Sequence, residues 1–86
     1  MSEKVTLEII VNGQSTMVET NENAPLHSII GHALAATGNS GQPPENWELR
    51  NEGGVLLPLD EKISDLHLAS GTRLFLNLKA GIGGTD

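Results

Sequence analysis

A short apolar segment near the start of the chain alternates with the period of a β-strand and then meets Asn-Gly. Every second residue of this segment is apolar: Val5, Leu7, Ile9 and Val11. Such residues share one face of an extended strand. Asn12-Gly13 follows directly, and Asn-Gly is the strongest short-range signal for a tight hairpin turn. The sequence therefore predicts an opening β-hairpin. The return strand covers residues 14–20, with Thr16, Val18 and Thr20 facing inward.

A helical pattern follows a polar break at residues 21–25. We expect the helix to enter there, because Asn suits a helix cap and Pro is tolerated in the first turn. Apolar residues then recur at helical spacing: Leu26, Ile29, Ile30, Ala33 and Leu34. Thr37-Gly38 predicts the helix end, with Gly38 in the usual place for a left-handed cap. The apolar stripe of this helix requires a sheet to cover it.

The second half of the chain is a series of short elements after the Pro43-Pro44 pair. The patterns predict strands at residues 47–51, 55–57 and 74–78, with one helical turn at residues 63–66. The first and last strands are the most apolar, so we place them side by side at the centre of the sheet. They then run parallel, which requires a crossover through the helix. The predicted fold class is α+β: a β-grasp arrangement in which a mixed four- to five-stranded sheet packs on one helix.

Composition excludes several classes of function. The 86 residues make one small domain with a net charge of −6, which argues against nucleic acid as a partner. There is no cysteine, so disulfides, thiolate metal sites and a cysteine nucleophile are excluded. No apolar run is long enough to span a membrane, and no signal peptide is visible. We therefore expect a cytoplasmic monomer.

No enzymatic or metal site emerges from the remaining polar residues. His27, His32 and His67 do not stack on one helix face and have no cysteine beside them, so solvated histidines are the better interpretation. Gly53-Gly54 lacks the Lys-Ser/Thr of a phosphate-binding loop. The carboxylates around Asp60 are interpreted as solvated caps rather than a catalytic pair. We expect no enzyme activity and no cofactor.

The chain ends in Lys-Ala-Gly-Ile-Gly-Gly-Thr-Asp at residues 79–86. We divide it into a β-grasp domain at residues 1–78 and a flexible tail at residues 79–86. Glycines without side chains can thread a narrow slot in another protein. A frayed end is the commoner case for a terminal segment. The tail alone leaves both interpretations open.

The order and spacing of these landmarks resemble the ubiquitin family over nearly the whole chain. The landmarks are the Asn12-Gly13 hairpin, the helix ending at Gly38, the Pro43-Pro44 pair, the strand at 47–51, the turn at 63–66, the strand at 74–78 and Gly83-Gly84. The chain looks most like the bacterial ubiquitin-like proteins found with their own activating enzyme, conjugating enzyme and zinc-dependent deconjugating protease. Such modifiers are commonly made as precursors with a short extension, and Thr85-Asp86 stands where that extension would be.

The resemblance implies a protein modifier rather than an enzyme. A protease would cut between Gly84 and Thr85, and the carboxylate of Gly84 would be activated with ATP and joined by an isopeptide bond to lysines of target proteins. The implied tail-recognition residues are Lys79, Gly81, Ile82, Gly83 and Gly84. The tail carries only Lys79 where eukaryotic ubiquitin has arginines, so a cognate activating enzyme would read a less basic tail.

Ubiquitin-like domains use the outer face of the sheet for partners, and here that face is predicted to present Ile10, Met17, Arg50 and Phe75. An apolar patch ringed by polar residues is typical of a binding site. Arg50 falls where the patch of ubiquitin has an aliphatic centre, so we do not expect ubiquitin's own receptors to bind. The alternative is that these are scattered exposed apolar residues without a function.

Two other functions remain open for a β-grasp protein with such a tail. A sulfur carrier would convert the same activated glycine into a thiocarboxylate, although such carriers usually end directly at Gly-Gly. A non-covalent ubiquitin-like adaptor would not use the tail at all. The Thr85-Asp86 extension and the Pro43-Pro44 landmark favour the modifier.

Overall fold

A computed structural model describes residues 4–39, 41 and 43–79 of the chain. The strands are β1 Lys4–Val11, β2 Gln14–Asn21, β3 Trp47–Arg50 and β4 Arg73–Leu78, and the helix is α1 Ser28–Ala36. The strands form one sheet in the order β2-β1-β4-β3. β1 pairs antiparallel with β2 and parallel with β4, and β3 pairs antiparallel with β4. The predicted β-grasp arrangement is confirmed, with the first and last strands side by side at the centre.

The opening hairpin is closed by a two-residue turn. Asn12 and Gly13 both have positive φ, 52° and 82°, as a type I′ turn requires. The turn sets Val11 opposite Gln14. This register places the apolar face of β1 toward the core, and the predicted inward set of β2 is confirmed because Val18 is buried.

One hydrophobic core fills the space between α1 and the inner face of the sheet. Its members come from every strand, from α1 and the residue two positions before it, and from the 3₁₀ turn that precedes β4: Val5, Leu7, Ile9, Val11, Val18, Leu26, Ile29, Ile30, Ala33, Leu34, Trp47, Leu49, Ile63, Leu74 and Leu76. All of them lie between Val5 and Leu76 in the sequence. The helix and the sheet therefore cover each other's apolar faces, as the periodicity predicted.

Two local predictions about the helical segments are confirmed. The helix α1 ends at Ala36, and Gly38 follows with a φ of +73°, the left-handed geometry that favours glycine at this position. The single helical turn is a 3₁₀ helix at Ile63–Leu66, with Ile63 buried. A second 3₁₀ turn at Pro44–Asn46 leads directly into β3.

The predicted helix entry in the polar break is wrong, because α1 begins only at Ser28. The Asn21 side chain does not cap the helix, since its Oδ1 accepts a hydrogen bond from the Asn23 backbone N–H at 2.8 Å. Pro25 forms an antiparallel bridge with Lys62, and its carbonyl oxygen accepts a hydrogen bond from the Ser28 N–H at 3.0 Å in the turn that precedes α1. The segment is thus held by a distant part of the chain before the helix starts.

The brief strand predicted at residues 55–57 is also wrong. Leu56 makes only an isolated bridge to Arg50, and Val55 and Leu56 are 58% and 53% exposed. The Asn51 side chain holds the preceding turn, because its Oδ1 accepts a hydrogen bond from the Val55 N–H at 3.0 Å. The sheet of the described residues therefore has four strands, the lower of the two predicted numbers.

Candidate functional site

Most of the predicted tail site lies outside the described residues. This holds for Gly81, Ile82, Gly83, Gly84 and Thr85, which stay predictions. Lys79 is described and exposed. Its backbone N–H donates a hydrogen bond to the carbonyl oxygen of Asn46 at 2.9 Å. This bond continues the contact between β3 and β4 by one residue.

The outer face of the sheet brings three of the four predicted partner residues into one row. In the strand register, Ile10 of β1 stands opposite Phe75 of β4, and Phe75 stands opposite Arg50 of β3. Directly opposed residues of a sheet lie on the same face within side-chain contact range. Ile10 and Phe75 are half-buried. Met17 lies in the neighbouring row, opposite Glu8, and is 59% exposed.

The arginines of this face are paired within the molecule. Arg50 donates from Nε and Nη2 to one oxygen of Glu48 at 3.1 and 3.0 Å, and from Nη1 to the carbonyl oxygen of Gly54 at 2.8 Å. Arg73 donates from Nε to Glu8 at 3.2 Å. Exposed pairs of this kind stabilise a fold by at most about 1 kcal/mol. The Ile10–Phe75 pair is therefore an apolar centre with ion-paired side chains on both sides.

One further apolar residue lies beside this face and is absent from the predicted partner surface. Leu56 bridges to Arg50 and is 53% exposed, so it extends the apolar surface past the edge strand. The available signal was the apolar triplet at residues 55–57, which stands between a Gly-Gly turn and Pro58. That triplet was interpreted as a strand rather than as an exposed apolar contact.

A cleft of about 320 Å³ opens at the point where β4 ends, and we call it the exit cleft. Four separate segments line it: His27, Ile30, Pro44, Glu45, Leu59, Asp60 and Lys79. Backbone hydrogen bonds hold two of these segments together, because the His27 N–H donates to the Leu59 carbonyl oxygen at 3.0 Å. No local sequence pattern could have revealed the exit cleft, since its walls meet only in the folded chain.

The remaining candidates behave as structural residues. Trp47 is 1% exposed, which confirms a core position. Its indole Nε1–H is buried without a hydrogen-bond partner among the described residues. His27, His32 and His67 are all exposed, as predicted. Within residues 4–39, 41 and 43–79, no three side chains of the metal-binding types lie close enough to hold an ion, and no helix is long and apolar enough to cross a membrane.

Comparison with solved structures places the fold among ubiquitin-like proteins. A protein designed on the basis of ubiquitin superposes with a TM-score of 0.75 and 18% identity, over 95% of this chain and 96% of that chain. Ubiquitin of Caldiarchaeum subterraneum superposes with a TM-score of 0.68 and 21% identity, over 95% of this chain and 100% of that chain. The ubiquitin-like domain of EccD5 from Mycobacterium xenopi superposes with a TM-score of 0.70 and 20% identity, over 90% of this chain and 96% of that chain. At these identities the likeness concerns the fold alone.

Comparison with known sequences identifies the family. The uncharacterized protein y4jI of Sinorhizobium fredii (strain NBRC 101917 / NGR234) is 49% identical over 81 residues, which is 94% of this chain. The chain spans 62% of the length of that relative. Residues 1–84 match the family described as "Protein of Unknown function (DUF2604)". The chain therefore belongs to the DUF2604 family, and its described residues have a ubiquitin-like β-grasp fold.

Proposed function

We propose that this chain is a bacterial ubiquitin-like protein modifier that acts through the carboxylate of Gly84. The observation that carries the proposal is the position of Gly83-Gly84 relative to β4. The central strand ends at Leu78, and the Lys79 N–H still donates a hydrogen bond to the Asn46 carbonyl oxygen. Gly84 then follows five residues after Lys79.

The chemistry proceeds in balanced steps, in which this chain is the substrate and other proteins are the enzymes. A zinc-dependent protease hydrolyses the peptide bond between Gly84 and Thr85. The freed carboxylate attacks the α-phosphorus of ATP at an activating enzyme, and pyrophosphate leaves. A cysteine thiolate of that enzyme displaces AMP to form a thioester, which passes to a conjugating enzyme. A lysine amine of a target protein then attacks the carbonyl, releases the thiol, and forms the isopeptide bond with loss of a proton.

The physical reason for glycine at this position is access to the reacting carbonyl. A residue without a side chain lets an enzyme backbone approach closely, and it leaves the carbonyl open to attack. ATP-dependent activation places the proposed system in the cytoplasm. The outer face around Ile10 and Phe75 is the proposed surface by which the enzymes recognise the body.

The test is thioester formation by Gly84→Ala. The chain ending at residue 84 is incubated with its activating enzyme and ATP, and the thiol-sensitive adduct is followed on a non-reducing gel. We expect the variant to lose at least ten-fold in rate, because the added methyl group obstructs the carbonyl. Gly41→Ala is the matched control, since a Cβ at Gly41 meets no atom within 4 Å. Equal rates for both variants would contradict the proposal.

Intact mass spectrometry from native cells separates the modifier from the two alternatives. A chain ending at Gly84 and attached to other proteins supports the modifier. A gain of one sulfur in place of one oxygen at that end supports a sulfur carrier. A free chain that keeps Thr85-Asp86 supports a non-covalent adaptor.

A further inference from the structure

The tip of the opening hairpin is tied to the end of α1 by a chain of side-chain hydrogen bonds. The Nδ2–H of Asn12 donates to Oδ1 of Asn39 at 3.0 Å. The Nδ2–H of Asn39 donates to Oγ1 of Thr37 at 2.8 Å, and the Thr37 hydroxyl donates to the carbonyl oxygen of Ala33 at 2.9 Å. We call this chain of bonds the tip tether. It joins side chains that are 27 positions apart in the sequence.

The tip tether requires a hydrogen-bond donor at position 12. The backbone N–H of Asn39 donates to the carbonyl oxygen of Leu34 at 2.7 Å, which fixes this residue to the helix end. Its Nδ2 also donates to the carbonyl oxygen of Thr37 at 3.1 Å, so a flipped carboxamide would set two acceptor oxygens against each other. Oδ1 of Asn39 therefore faces the hairpin. Asparagine at position 12 supplies the donor, whereas aspartate, which suits the same turn before Gly13, does not.

Asn12-Gly13 is also the dipeptide in which an asparagine side chain most readily loses its amide. It is the only Asn-Gly of the chain, and both residues are exposed. Glycine has no Cβ to shield its own backbone nitrogen from the side chain before it. Val11 and Gln14 are the pair that flanks the turn, so the N–H of Gly13 is not part of the ladder. This nitrogen is therefore available as a nucleophile.

We propose that Asn12 is a site of spontaneous deamidation that the tip tether holds in check. The Gly13 N–H loses its proton, its nitrogen attacks Cγ of Asn12, and the new N–C bond closes a succinimide ring. The bond between Cγ and Nδ2 breaks, and the amide nitrogen takes up a proton and leaves as ammonia. Water then opens the ring at Cγ to give aspartate, or at the backbone carbonyl to give isoaspartate.

The tip tether slows the first step because it holds the group that must react. The attacking nitrogen approaches Cγ from outside the plane of the carboxamide, so the carboxamide has to turn as the ring closes. Asn39 holds Nδ2 of Asn12, the leaving nitrogen, in a hydrogen bond. That bond must open before the ring forms. Deamidation therefore proceeds through the fraction of molecules in which the tip tether is locally open.

Deamidation in turn releases the hairpin tip from the helix. Both products carry a carboxylate, which only accepts hydrogen bonds, and this group faces Oδ1 of Asn39. It also lies beside the C-terminal end of α1, where the helix dipole disfavours negative charge. Isoaspartate in addition lengthens the main chain of the two-residue turn by one carbon atom. This inference goes beyond the proposed function and does not depend on it.

The test measures the deamidation rate of Asn12 in the folded and the unfolded chain. The chain is kept at mildly alkaline pH, and an endoprotease that cuts after glutamate releases residues 9–19. The asparagine, aspartate and isoaspartate forms of this peptide are separated by chromatography and identified by mass. We expect Asn39→Ala to react about five-fold faster than the unmodified chain in native buffer. We expect equal rates in urea, where no tip tether forms.

Ser70→Ala is the matched control for a general loss of stability. The Ser70 hydroxyl oxygen accepts a hydrogen bond from the Thr6 N–H at 3.1 Å, so this variant also loses one exposed bond to the hairpin. Its rate in native buffer is expected to stay within about two-fold of the unmodified rate. Equal native rates for Asn39→Ala and the unmodified chain overturn the proposal. So does an equal acceleration by Ser70→Ala, or an unmodified chain that reacts as fast when folded as in urea.

A second measurement tests the release of the tip without the Asn39 variant. Asn12→Asp keeps a dipeptide that suits the turn but removes the donor. We expect the backbone N–H of Asn39 to exchange with solvent about five-fold faster in this variant. The N–H of Leu74, in the centre of the sheet, reports global unfolding in the same experiment. A rise at Asn39 that does not exceed the rise at Leu74 overturns the proposed release.

Discussion

His67 adopts a backbone conformation that costs free energy for any residue with a Cβ. It has a φ of 56° and a ψ of 38° at the end of the 3₁₀ turn Ile63–Leu66, and its side chain is exposed. Among the described non-glycine residues only Asn12 shares a positive φ, and asparagine tolerates this region better than histidine does. The cost at His67 is therefore a local property of one residue.

Glycine at position 67 is expected to stabilise the fold. The left-handed conformation costs an L-residue roughly 1–2 kcal/mol, and the added freedom of glycine in the unfolded chain returns part of that gain. We expect His67→Gly to raise the free energy of unfolding by about 0.5 kcal/mol, measured by urea denaturation.

The control for this prediction is the same substitution at His32, which is exposed within α1. Glycine is the poorer helix former, so His32→Gly is expected to lower the free energy of unfolding by about 0.5 kcal/mol. A decrease for both variants would show that backbone strain at His67 is negligible.

At the scale of elements, the residues of β4 alternate between the core and the outer face of the sheet. Leu74 and Leu76 face inward and are fully buried, whereas Phe75 and Asn77 belong to the outer face. Because Phe75 stands between β1 and β3 in the sheet, its ring lies at the centre of the proposed partner surface. Aromatic residues at the centre of an interface often contribute most of its binding energy.

Phe75→Ala is expected to weaken binding to the activating enzyme about ten-fold while the chain remains folded. The dissociation constant is measured by calorimetry without ATP, so that chemistry does not contribute. Asn77→Ala is the matched control, because it changes an exposed residue of the same strand and face. If both variants bind as well as the unmodified chain, the outer face is not the recognition surface.

An element could be predicted from the sequence where its structure depends on residues close to it in the chain. The hairpin and β4 follow from alternation and one turn dipeptide, because their structure is set by neighbours within a few residues. The start of α1 could not be predicted, since Pro25 is held by Lys62 from a distant segment. The apolar triplet at residues 55–57 predicts a strand, but Leu56 is 53% exposed. Its neighbours in the fold leave it exposed.

The candidate sites were predictable to different degrees for the same reason. The outer-face residues follow from strand parity, because Ile10 and Phe75 alternate with buried neighbours and pair directly in the sheet. The pairing of Arg50 with Glu48 is a local two-residue relation on one strand face. The exit cleft depends on four segments that meet only after folding, so its geometry required the structure.

At the scale of the whole molecule, stability and the proposed reaction belong to different parts of the chain. Every core residue lies between Val5 and Leu76. The described residues after this range contribute one partly buried side chain, Leu78, and the backbone hydrogen bond from Lys79 to Asn46. A chain that ends at Lys79 retains all of these contacts.

Truncation after Lys79 is therefore expected to leave the fold intact and to abolish the reaction. We expect the free energy of unfolding to fall by less than about 0.5 kcal/mol, which corresponds to a fall of less than about 4 °C in Tm for a domain of this size. Scanning calorimetry measures Tm, and the gel assay should show no thioester. Leu76→Ala provides the opposite control, because removing a fully buried leucine side chain costs about 2–5 kcal/mol. A fall in Tm of about 8 °C or more on truncation would mean that the tail stabilises the body, and the boundary at residue 78 would then be wrong.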